Sequence, residues 1–77
     1  MASLKRSIPS RRNWVLGIFN ADSVRNGGVV RRDVDNVRQF GSIAFLKSEV
    51  RRREFHLIRT GDQYVILCHK GDIRILI

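Results

Sequence analysis

Disulfides are out of reach of this sequence: Cys68 is its only cysteine, so a small core must hold together without covalent staples. A lone thiol suits a reducing compartment, and a cytoplasmic setting is the expectation. Long apolar runs are missing too. Tyr64 to Cys68 and Ile75 to Ile77 extend only a few residues, which excludes a membrane-spanning helix. The twin arginine Arg11-Arg12 precedes Trp14, Val15 and Leu16, but the apolar stretch soon meets Asn20, Asp22 and Arg25 with no small-residue cleavage site, so no export signal is expected.

Catalytic motifs are equally scarce. Ser10, Ser42 and Ser48 lie in no nucleophile turn, and Gly27-Gly28 lacks both the lysine of a phosphate loop and the repeating glycines of a dinucleotide fingerprint. The expectation is a non-enzymatic protein without catalytic residues, cofactor or metal. Acids are few as well: seven Asp and Glu stand against fifteen Lys and Arg, for a net charge of +8. The surplus gathers in Met1 to Arg12, which has no acid, and in Ser42 to Glu54. Such a field attracts polyanions, and the preponderance of Arg favours phosphate, onto which a guanidinium forks.

What is present makes one domain. A chain of 77 residues, 43% apolar and 29% charged, has an ordinary globular balance and room for a single core. Residues 1–10, basic and holding Pro9, read as a flexible tail, and residues 11–77 as one α+β domain. Asn13 to Phe19 is core material that fits a strand by residue type or a helix by extension to Arg25, with Gly27 as its left-handed cap. Asn26-Gly27-Gly28 is a turn, and a strand follows near 28–34. After a polar link holding Val37 and Phe40, Ser42 caps the main helix, about 43–54. Ile43, Leu46 and Val50 form its buried stripe, and Phe45 points the other way.

The last third reads as a three-stranded antiparallel meander, about 54–60, 63–69 and 72–77. Its first turn, Gly61-Asp62, suits a type II′ hairpin, and its second is Lys70-Gly71. Two-residue loops set Leu57 opposite Ile66 and Phe55 opposite Cys68, so Leu57, Tyr64, Ile66 and Cys68 share the core face. Cys68 is then a buried apolar group, turned away from His69. The opposite face mixes polar groups with Ile58, Val65, Leu67 and Leu76, an apolar set that needs a cover. The same register gathers Glu54, His56, His69 and Asp72. Their spacing fits no compact metal motif, and cross-strand charge pairing explains them.

Two functions follow as expectations. The first is nucleic-acid binding through phosphate contacts by Arg11, Arg12, Arg31, Arg32, Arg51, Arg52 and Arg53. Neither the interleaved aromatics of an RNA-binding sheet nor a helix-turn-helix or finger pattern stands out. The second is protein interaction or homodimerisation through Ile58, Val65, Leu67 and Leu76.

Overall fold

The computed structural model describes residues 10–77. The tail expected over residues 1–10 lies outside that range, save Ser10, which caps the first helix. Ser10 Oγ accepts from the Asn13 N–H at 3.0 Å and starts α1, Arg11–Ile18. Val15 and Ile18, three apart on this helix, are buried. The undecided segment is therefore helical, and so is its continuation α2, Asp22–Arg25. Gly27 ends α2 with φ 72°, where its N–H donates to the Val24 carbonyl and that of Gly28 to the Ser23 carbonyl. This is the paired bonding that a left-handed glycine cap permits.

Strand β1 (Val29–Asp33) follows, then α3 (Val34–Phe40), α4 (Ile43–Arg52), β2 (His56–Thr60) and β3 (Gln63–Leu67). The three strands form an antiparallel sheet in the order β1-β3-β2. The hairpin register is as read from the sequence: Leu57 pairs with Ile66 and Thr60 with Gln63, around a Gly61 whose φ is 60°. The α+β class holds, with helices packed on one face of the sheet. Val15, Ile18, Phe19, Val37, Leu46 and Val50 from the helices meet Val30, Ile66 and Cys68 beneath them.

Three details of the sequence reading are corrected. Residues 72–77 form no strand, because β3 has only two flanks: β2 takes one and β1 the other, pairing Val29 with Leu67 and Asp33 with Gln63. The Cys68 N–H, donating to the Gly28 carbonyl at 2.9 Å, extends that ladder. Leu76 is therefore not on the sheet at all. It is 91% exposed in a C-terminal segment without regular secondary structure. Second, the polar link is largely α3, which buries Val34 and Val37. Third, the main helix stops at Arg52 rather than at residue 54. Glu54 takes φ 63°, its N–H donates to the Arg51 carbonyl, and the Phe55 N–H reaches back to Val50. That is a left-handed cap with glutamate where glycine is usual.

Candidate nucleic-acid interface

Helices α3 and α4 are consecutive and joined by Gly41 and Ser42, a helix-turn-helix connection that the sequence had not revealed. The turn is held from both sides. Ser42 Oγ accepts from the Phe45 N–H at 3.1 Å and starts α4. On the other side, the Arg11 guanidinium donates to the Arg38 and Gly41 carbonyls at 3.0 and 2.8 Å. These are among the last carbonyls of α3 and its cap, so Arg11 ties α1 to the end of α3. Gly41 itself lies so close under α1 that a β-carbon there would sit 2.7 Å from the Trp14 ring and 2.9 Å from Val15. The junction between β1 and α3 is fixed too, since the Val34 N–H donates to the Asp62 carbonyl at 2.8 Å. The hairpin turn is thereby bonded to the start of the helix pair.

Helix α4 divides into two faces by its 3.6-residue period. Leu46, Glu49 and Val50 turn inward. Ala44, Lys47, Ser48, Arg51 and Arg52 turn to solvent. The one acid of the helix is therefore removed from its outer surface. The Glu49 carboxylate accepts from Arg52 at 2.7 Å and from Arg53 at 2.6 Å, and these two hydrogen bonds hold its pKa down to about 2 against the opposing effect of burial. The outward face is left with small residues, Ala44 and Ser48, framed by the cations Lys47, Arg51 and Arg52. Neither Lys47 nor Arg51 has an acidic partner among the described residues.

The seven arginines expected to contact phosphate are not brought to one surface. Arg51 and Arg52 lie on the outward face of α4. Arg53 turns the other way, its guanidinium 3.9 Å from the Phe19 ring centre and bonded to the Glu49 carboxylate and carbonyl, with its side chain 24% exposed. Arg11 clamps the turn, and Arg12 lies over the Phe45 ring at 5.1 Å. That contact explains the outward phenylalanine: Phe45 is half-buried at the lip of the core, under a guanidinium. Arg31 and Arg32 alternate along β1. Arg31 joins Val65 and Ile58 on the sheet face turned from the helices, and Arg32 joins Tyr64 and Arg59 on the other.

Arg59 was not among the expected residues. It stands near the tip of the β2–β3 hairpin, its Nε donating to the Gly61 carbonyl at 3.1 Å. Lys47 was also passed over, because an isolated lysine carries no cluster signal. The signal available was its spacing: Ala44, Lys47, Ser48 and Arg51 stand at i, i+3, i+4 and i+7, the spacing of one helical face.

Ile58, Val65 and Leu67 do share a face, and β1 adds Val29. Val29 is 46% and Ile58 38% exposed, and none of the four belongs to the core cluster that the described helices pack on. Glu54, His56, His69 and Asp72 are not gathered into one cluster. No group of three His, Cys, Asp or Glu that could hold a metal ion occurs among the described residues. The His56 and His69 rings meet edge-on with centroids 5.4 Å apart, and both engage Gly71, while Glu54 and Asp72 turn to Lys70 and Arg74. Cys68 is buried, and desolvation raises its thiol pKa, so it stays a protonated apolar group at neutral pH.

No helix among the described residues is long and apolar enough to cross a membrane. The chain matches no family model, and neither a curated protein nor a solved structure shows significant similarity to it.

Proposed function

We propose that this chain is a DNA-binding module of the winged helix-turn-helix kind, non-enzymatic, with α4 as the helix that enters the major groove and the β2–β3 hairpin as the wing beside it. The observation that carries the reading is the outer face of α4. Ala44 and Ser48 are small enough to let the helix approach base edges. Lys47, Arg51 and Arg52 stand around them to reach phosphates, and Glu49 is turned inward and neutralised. A second helix presented by a preceding helix and turn is the arrangement used to read duplex DNA. Arg59 on the wing adds a cation at a distance from the helix. On this reading Arg11, Arg12 and Arg53 support the interface from behind, and Arg31 lies on the far side of the sheet.

Fluorescence anisotropy with a labelled duplex, a single strand of the same sequence and a duplex RNA tests it. Duplex DNA should bind most tightly at low salt, and Arg51→Glu should abolish binding while the fold persists. Equal affinity for duplex and single strand, or binding indifferent to Arg51→Glu, would exclude α4 as the reader.

A second reading keeps the apolar outer face of the sheet. Val29, Ile58, Val65 and Leu67 form one apolar cluster, exposed at Val29 and Ile58 and half-buried at Val65 and Leu67, which supports self-association through that face. Light scattering over a concentration series tests it, with Leu67→Lys expected to return any dimer to monomer.

A further inference from the structure

A groove runs between α4 and strand β2, and it stands whether or not α4 binds nucleic acid. Its wider end, of about 450 Å³, lies where Val50, Phe55 and Leu57 form the floor, and Ile73 of the chain's own C-terminal segment borders it beside His56. Its narrower end, of about 290 Å³, continues past Leu57 to Ile43 and Tyr64. Lys47 borders both, with Arg51 at one end and Arg59 at the other. Three cations and no carboxylate line the channel, with His56 at its wide end and Tyr64 at its narrow one.

The channel lies beside a sheet edge. In the order β1-β3-β2, strand β2 pairs with β3 alone, so alternate backbone groups along its other side have no strand partner among the described residues. The opposite edge, β1, carries the adjacent Arg31 and Arg32, the kind of charge pair that discourages strand addition, and β2 has no such pair. Leu57 and Arg59 face the helix side of the sheet, as their pairing with Ile66 and Tyr64 requires. A strand added to β2 would send every second side chain to that same side, into the groove. The residues between would lie beside Ile58, the most exposed aliphatic of β2.

We infer that the β2 edge and the α4 groove form a docking surface for an extended acidic segment of a partner protein, bound by strand addition. The segment has an apolar side chain for the Leu57 and Val50 floor, flanked two residues away on each side by carboxylates for Arg59 and for Arg51 with Lys47. Charge selects this occupant. The chain's own C-terminal segment, taken from a second copy, is apolar enough but would bring Arg74 to the cations and no acid beyond Asp72. Nucleic acid has no backbone with which to extend a sheet.

The test is an NMR titration of the isotopically labelled protein, without nucleic acid, using the synthetic peptide acetyl-Thr-Glu-Thr-Leu-Thr-Glu-Thr-amide. Saturable shifts should appear in the amides of His56 to Thr60 and in Lys47 and Arg51. The same peptide with Lys in place of Glu should bind at least roughly tenfold more weakly, since like charges would then face each other. Arg59→Glu and Lys47→Glu should each weaken binding, and Arg25→Ala, remote on α2, should not. A peptide carrying Pro at its central position, unable to donate from that backbone nitrogen, should lose the β2 shifts. No binding of the Glu peptide, equal binding of the Lys peptide, or shifts confined to the outer face around Val29 and Leu67 would overturn the inference. β2 amides already protected by self-association of the protein alone would overturn it too, by showing a second copy in the groove.

Discussion

Glu54 is the residue most at odds with its own backbone. Its φ of 63° lies where a β-carbon crowds the following carbonyl, a conformation that costs an L-residue about 1–2 kcal/mol. Its side chain recovers little, since Lys70 Nζ stands 4.0 Å away with both groups largely exposed. Glu54→Gly should therefore stabilise the fold by about 0.5–1 kcal/mol, part of the cap strain being offset by the freer unfolded chain of a glycine. A rise in the urea midpoint with unchanged slope would show it. Gly41 is the opposite case. Nothing about its φ of −124° demands glycine, but the space does, because an added methyl would press into Trp14 and Val15. Gly41→Ala should cost roughly 1–3 kcal/mol, the range for forcing a methyl into a filled core. The same denaturation series checks both. The two residues also differ in legibility. Gly27 as a helix stop was readable because its neighbours Asn26 and Gly28 announce a turn. Gly41 was readable only as a boundary, since the ring it must avoid is 27 positions away in the chain and only the fold brings it near.

At the scale of elements, α4 depends on one internal carboxylate. Glu49 has an ordinary pKa of 4.5 and is held at about 2 by the hydrogen bonds from Arg52 and Arg53. A lowered folded-state value means that the folded chain binds this proton less readily than the unfolded one. The stabilisation is therefore complete above about 4.5 and is lost as the pH falls through about 2. Urea midpoints measured across that window should fall in the native protein and fall less steeply in Glu49→Gln, which starts lower at neutral pH. Identical slopes in the two proteins would mean that Glu49 is not responsible. The elements themselves were unevenly legible. Gly61-Asp62 fixes the hairpin register by loop length, so pairing Leu57 with Ile66 needed no tertiary information. Helix α3 was hidden because only Val34 and Val37 are buried in it while Asp35, Asn36, Arg38 and Gln39 are exposed, so its apolar stripe is two residues long. The third strand was misplaced for a different reason. Ile73, Ile75 and Ile77 alternate as well as any strand, and periodicity does not say which of two candidates wins the flank of β3. The Cys68 to Gly28 hydrogen bond shows that β1 does, and that contact spans forty residues. The two-residue α3–α4 connection and the β1-β3-β2 strand order were thus hidden together, because each needed α3 and β1 in place.

For the molecule as a whole, the distribution of charge matters more than its sum. Of the fifteen Lys and Arg in the chain, Arg11 and Arg53 are bonded inward, Arg25 pairs with Asp22, and Arg31 lies on the far side of the sheet from α4. A net charge of +8 spread evenly would bind any polyanion weakly and without preference of face. The fold instead directs Lys47, Arg51 and Arg52 outward from one helix and sets Arg59 on the adjoining hairpin. If those four contact phosphates of a duplex, the logarithm of the association constant should fall linearly with the logarithm of salt concentration, with a slope of about −3 to −4. Removing one contact should lower the affinity for every duplex sequence alike and reduce the magnitude of the slope by about one. Lys47→Ala and Arg59→Ala, measured by anisotropy over a salt series, should each do so. Arg31→Ala should lower affinity slightly through the general field and leave the slope unchanged. A slope that shrinks equally for all three variants would mean that binding follows the overall charge, and α4 would have no special part in it.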